Sequence, residues 1–184
     1  MELLDVSKSY GDKKVLSSLT LHIKERATTV LSGPSGIGKT TLFRLILGLE
    51  KEDCGTIRTE GRVSALFQED RLIENLSIMN NLLLVSDDKA RMKELLKESG
   101  LEGEEKNRVA TLSGGMKRRV ALVRALLTDY DTLLLDEPFS GLDAESKRRI
   151  SALIRKEVNG RTLVVITHDD DDYSLLDADE RIVI

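Results

Sequence analysis

The sequence predicts an α/β fold, a mostly parallel sheet covered by helices with a helical insertion in the middle. Three observations carry this. The C-terminal half alternates aliphatic runs with helical patterns (TLLLDE, AESKRRISALIRKEV, TLVVITH, then RIVI), an alternation that builds parallel βαβ units. A glycine-rich turn lies between the apolar run TTVL and the helical pattern TTLFRLILGL. The stretch from about Asn75 to Leu127 reads as helical throughout.

The elements follow in order. Leu3 to Val6, Leu19 to Ile23 and Thr28 to Leu31 are short aliphatic and β-branched runs, divided by turn residues such as Tyr10-Gly11-Asp12, and read as strands. The helix after the glycine turn stops at Gly48. Thr56 to Arg58 and Val63 to Phe67 return to strand character. SDDKARMKELLKESGL is a capped amphipathic helix ended by Gly100. A short DDDDYSLLD segment separates the last two strands.

Composition narrows the function. The chain of 184 residues is 40% hydrophobic and 33% charged, which suits one globular domain. A formal net charge of −4 argues against nucleic acid as a partner. Lys117-Arg118-Arg119 and Lys147-Arg148-Arg149 read as solvated helix faces. Cys54 is the single cysteine, so a reducing compartment is expected. The opening MELLDVSKSYG lacks signal-peptide character. No apolar run approaches the roughly 18 residues that span a bilayer.

GPSGIGKTT, from Gly33 to Thr41, fits G-x-x-x-x-G-K-[ST] after a strand and before a helix. In such a loop, running Gly33, Pro34, Ser35, Gly36, Ile37 and Gly38, the glycines let the successive backbone N–H groups (Pro34 has none) curl toward phosphate oxygens, and the helix start adds positive potential. Lys39 would reach the β- and γ-phosphates and Thr40 would ligate Mg²⁺, with Thr41 beside it. TLLLDEP delivers Asp136 and Glu137 to a strand's C-terminal end, Asp136 suited to Mg²⁺ and Glu137 to polarising water. His168 follows TLVVIT at the same sheet edge, within reach of a γ-phosphate. Gln68, directly after another strand, could touch Mg²⁺ and the attacking water. His22 reads as a strand-face residue without chemistry.

A second anion-facing turn, LSGGM at Leu112 to Met116, opens a long helix but has no lysine. Ser113 is a good N-cap. Capping does not account for Gly114 and Gly115, each of which weakens a helix by roughly 1 kcal/mol.

In this order, glycine loop, Gln68, Ser-Gly-Gly, Asp-Glu, SGLD at Ser140 to Asp143, and His168, the chain resembles the nucleotide-binding subunits of ATP-binding cassette (ABC) transporters over essentially its whole length. The resemblance implies a P-loop NTPase core with an N-terminal antiparallel β part and a small inserted helical subdomain at about 75–127. It implies ATP and Mg²⁺ as cofactors, and Tyr10 stacked on adenine. It also implies a head-to-tail pair of subunits, in which Ser113, Gly114, Gly115 and Asp143 complete the site of the other copy. Further expected partners are transmembrane permease subunits and a solute-binding protein, at the cytoplasmic face of the membrane. The chain departs from the family at Met116, where glutamine is common, and in a short segment between Gln68 and Leu112. It closes near the end of the shared core, with no appended regulatory domain expected. EDRLIENLSIMNNLLLV either meets the permease or packs the helical insertion. FQEDRLIENLS resembles importers of nitrate, sulfonates and related small anions. The alternatives are a soluble non-transport ABC ATPase and a P-loop small-molecule kinase.

Overall fold

A computed structural model describes residues 1–169 and 171–184 of the protein; Asp170, inside the predicted DDDDYSLLD segment, lies outside them. The main sheet holds β3 (Thr28–Ser32), β5 (Val63–Leu66), β6 (Thr132–Asp136), β7 (Thr162–Thr167) and β8 (Glu180–Val183). Its order is β5-β6-β7-β3-β8, and every pairing is parallel. β6 and β7 are buried along their whole length, which is why they read as continuous apolar runs.

The second sheet is antiparallel, β2-β1-β4, from β1 (Glu2–Tyr10), β2 (Lys13–His22) and β4 (Cys54–Arg58). Both long strands exceed the predicted runs. Asp5 and Ser18 adopt positive φ (52° and 46°), and the β1–β2 pairing shifts register along its length. Such bulges break the period-2 alternation that marks a strand in sequence.

Helix α1 (Lys39–Ile46) follows β3, and α5 (Ala144–Val158) connects β6 to β7. The region predicted helical from Asn75 to Leu127 contains three separate helices, α2 (Ile78–Leu82), α3 (Lys89–Glu98) and α4 (Gly114–Leu126), with a single 3₁₀ turn at Val109–Thr111. Side-chain caps start each of them, from Ser77, Asp88 and Ser113. A last short helix, α6 (Asp171–Leu175), precedes β8. The buried faces of α2, α3 and α4 share one apolar cluster with β6, β7 and α5. The other sheet face and the antiparallel sheet enclose α1 in a second cluster.

The EDRLIENLSIMNNLLLV stretch divides between its two readings. Ile78 and Leu82 are buried, whereas Ile73, Leu84 and Val85 stay exposed.

Candidate nucleotide site

Four parallel strands end at one edge, and each delivers a group selected from the sequence. β3 leads into the glycine loop, β5 into Gln68, β6 ends in Asp136 and Glu137, and β7 leads into His168. This is the edge where open α/β sheets collect ligands.

The loop's backbone requires its glycines. Gly36 and Gly38 have φ of 82° and 112°, a region that L side chains avoid. A Cβ on Gly38 would also lie 2.9 Å from Leu16 Cδ2. Gly38 caps α1, and Leu42 N–H donates to its carbonyl at 2.8 Å. The Lys39 ammonium folds over the loop and donates to the carbonyls of Gly33 (2.6 Å) and Pro34 (3.0 Å).

A cavity of about 470 Å³ opens over this edge. Ser35, Gly36, Gly38, Lys39, Thr40 and Thr41 form its floor, and Gln68, Asp136, Glu137 and His168 form its wall. Lys13, Val15 and Ser140 line it too; Ser140 opens the SGLD motif, whereas no motif pointed to Lys13 or Val15. A larger hollow of about 820 Å³ lies beyond the far end of α1, away from the glycine loop, and holds none of these groups.

Asp136 is almost fully buried. Burial, reinforced by the neighbouring Glu137 carboxylate, raises its pKa to about 6, against the pull of Arg118 and Lys39. Glu137 adopts a positive φ of 51°, with its N–H bonded to the Ile166 carbonyl at 2.8 Å. Its Oε1 lies 2.7 Å from His168 Nδ1. Hydrogen bonding to that carboxylate, then its charge, raises the His168 pKa above 6.5. Thr167 Oγ1 stands 2.6 Å from buried Asp172 and 3.4 Å from Glu137 Oε2.

The oxygens of Thr40, Gln68 and Asp136, two neutral and one carboxylate, are a donor set suited to a hard divalent cation that retains waters. Tyr10, Gly33, Pro34 and Ile37 do not line the cavity. Tyr10 is 44% exposed, and its hydroxyl donates to Glu50. Ser113, Gly114, Gly115 and Asp143 also lie outside it. Ser113 accepts from Met116 N–H at 3.3 Å, and Asp143 caps α5 by accepting from Ser146 N–H at 2.8 Å. A Cβ on Gly114 would meet no atom of its own chain within 4 Å, while one on Gly115 would approach the Gly141 carbonyl at 3.2 Å.

One sequence reading is corrected. Arg118 is not part of a solvated helix face: it is 4% exposed and bonds the backbone around Gln68 and Glu137. Its i+3, i+4 and i+7 neighbours, Ala121, Leu122 and Ala125, are buried. That helical face was the available signal.

The pattern described as "ABC transporter" matches residues 16–140, more than half of the chain. This chain belongs to the ABC transporter family. The ABC chain is 40% identical over 190 residues to an aliphatic sulfonates import ATP-binding protein of Nocardia farcinica (strain IFM 10152), covering 100% of this chain and 77% of that one. A protein with the same description from Delftia acidovorans is 42% identical over 185 residues, covering 97% and 76%. A dimeric bacterial ABC transporter cassette superposes with a TM-score of 0.90 at 28% identity, covering 100% of this chain and 93% of that one. The same cassette bound to ADP and Pi, in a post-hydrolysis state, gives 0.89. The chain is thus an ATP-binding and ATP-hydrolysing subunit that powers transport, with the P-loop NTPase fold its motifs predicted.

Proposed function

We propose that two copies of this cassette pair head to tail around two ATP molecules and drive a separate membrane permease from its cytoplasmic face. The observation that carries this reading is an unequal division of labour. One edge of the chain gathers the glycine loop, the acids and His168 into a cavity. Ser113 to Gly115 lie apart, and Gly114 is free of any packing reason to lack a side chain. A glycine with nothing against it in its own chain fits a backbone that must approach something outside. In the pair, Ser113, Gly114 and Gly115 would cover the γ-phosphate on the other copy's glycine loop, with the start of α4 directed at it.

Residue roles follow from placement. The loop from Gly33 to Gly38 and Thr41 would hold the phosphates, and Lys39 would exchange its two loop carbonyls for β- and γ-phosphate oxygens. Thr40, Gln68 and Asp136 would hold Mg²⁺, which when bound offsets charge on the phosphate oxygens. Glu137 would accept the proton of the attacking water. His168 would turn from Glu137 to the γ-phosphate, and Tyr10 would leave Glu50 to stack on adenine. Asp143, at the start of α5, would lie on the seam between copies. Residues 75–127 are read as an inserted helical subdomain. Exposed Ile73, Leu84 and Val85 offer a permease-facing patch, and among the described residues no helix is long and apolar enough to cross a membrane.

The cargo class comes from the relatives named for aliphatic sulfonates import. We infer import of a small organic anion of that kind, delivered by a solute-binding protein. Uptake of an aliphatic sulfonate by vesicles carrying this cassette and its permease tests the cargo. The ATPase reading is tested by Glu137→Gln. That variant should bind ATP within a few-fold of wild type, lose turnover by about a hundredfold or more and accumulate as a closed dimer. Near-normal turnover would remove Glu137 from its role.

A further inference from the structure

The parallel ladder between β5 and β6 ends at the pair Leu66 and Leu135. The groups assigned to hydrolysis begin immediately beyond it, Gln68 on one strand and Asp136 and Glu137 on the other. Past that point the two chains lack ladder bonds to hold them in register. The buried head of Arg118, projecting from α4, occupies the gap. One terminal nitrogen donates to the carbonyls of Phe67 (2.5 Å) and Gln68 (3.2 Å), and to Asp70 Oδ1 at 3.1 Å. The other donates to the carbonyls of Asp136 and Glu137, the latter at 2.8 Å.

We propose that Arg118 is a positioning residue for hydrolysis, its guanidinium replacing the missing ladder beyond β5 and β6 and fixing Gln68, Asp136 and Glu137 relative to one another. The inference rests on the proposed roles of those three residues. Three physical arguments support it. A guanidinium this deeply buried is tolerated only when polar partners replace most of its lost water; carbonyl dipoles from both strand ends and one carboxylate receive the two terminal nitrogens, and Nε alone is left without a partner. The planar fork directs donors to two separate groups at once, which a lysine ammonium cannot do with the same rigidity. Finally, Glu137 holds a left-handed backbone conformation, at φ 51°, that disfavours a non-glycine residue. It is fastened on both sides, its N–H by Ile166 and its carbonyl by Arg118. Arg124, six residues further along α4, donates to the carbonyls of Asp70 and Arg71, so the segment after β5 rides on the same helix that Ser113 caps.

The test compares Arg118→Lys and Arg118→Gln with wild type in the purified full chain, measuring ATP affinity, kcat, KM and the Mg²⁺ concentration for half-maximal activity. Loss of positioning without loss of the phosphate cradle should leave ATP affinity within about threefold, lower kcat by about tenfold or more and raise the Mg²⁺ requirement severalfold. Arg118→Lys, which keeps the charge, should recover only part of kcat. Wild-type kcat in a folded Arg118→Lys chain would overturn the proposal. So would a kcat loss matched by an equal loss of ATP affinity, or failure of both variants to fold, since Arg118 would then be a core residue only. Glu137→Gln run alongside separates the two readings. If that variant keeps turnover, the site assignment fails; if it is inactive while Arg118→Lys is normal, only the present proposal fails.

Discussion

Glu137 and His168 form a pair whose protonation is measurable without any ligand. The carboxylate favours the imidazolium, so His168 in the nucleotide-free chain should titrate above 6.5. Its contribution to stability is complete below that value and disappears as pH rises through the folded midpoint. In Glu137→Gln the NMR titration of the His168 ring should move down toward 6.5, and an unmoved midpoint would show that the contact is not maintained in solution. Lys39 makes a different kind of prediction. Its removal leaves two loop carbonyls without a donor and the phosphates without a charge partner. Lys39→Ala should therefore weaken ATP binding by about tenfold to a hundredfold in calorimetric titration, a loss of roughly 1.5–3 kcal/mol. These residues were legible because each follows an apolar strand or opens a helix, and because they occur in a fixed order. Arg118 was hidden in a run of three basic residues. Charge alone assigned it to solvent, whereas the helical face it shares with Ala121, Leu122 and Ala125 points it inward.

The element with two duties is α4. Its first turn is capped by Ser113 and carries two glycines, and its body is buried among apolar side chains. Gly114→Ala adds a methyl group that no atom of the chain opposes and removes a residue with poor helix propensity. The isolated subunit should gain up to about 1 kcal/mol in denaturant unfolding. Its ATP-dependent pairing should be impaired all the same if the proposed seam is right, because the methyl would then stand against the other copy's nucleotide. A variant that is both more stable and paired as wild type would remove Gly114 from the seam. Strand limits in the antiparallel sheet were less legible than those of the parallel sheet. Bulges at Asp5 and Ser18 scramble the alternation of β1 and β2, whereas doubly covered β6 and β7 are written as unbroken aliphatic runs.

The molecule as a whole is read as half of a machine. In light scattering, the Glu137→Gln chain should double its molar mass when ATP and Mg²⁺ are added, and the same chain carrying Lys39→Ala should remain single. The patch at Ile73, Leu84 and Val85 gives a separate handle. Leu84 is 57% exposed, so Leu84→Glu should alter stability by no more than about 0.5 kcal/mol. It should leave ATP hydrolysis by the isolated chain near normal and reduce co-purification with the permease. Sequence alone left this stretch between two uses, because an apolar residue turned outward and one turned inward look alike until the helix is placed.

The left-handed backbone at Glu137 carries a thermal consequence. Asparagine is more at ease there than glutamate, and it would also remove the negative charge that crowds the buried carboxyl of Asp136. An inert Glu137→Asn protein should thus outlast the working enzyme on heating. On the proposed role of Glu137, some heat resistance would be given up to keep a water-activating acid at this position.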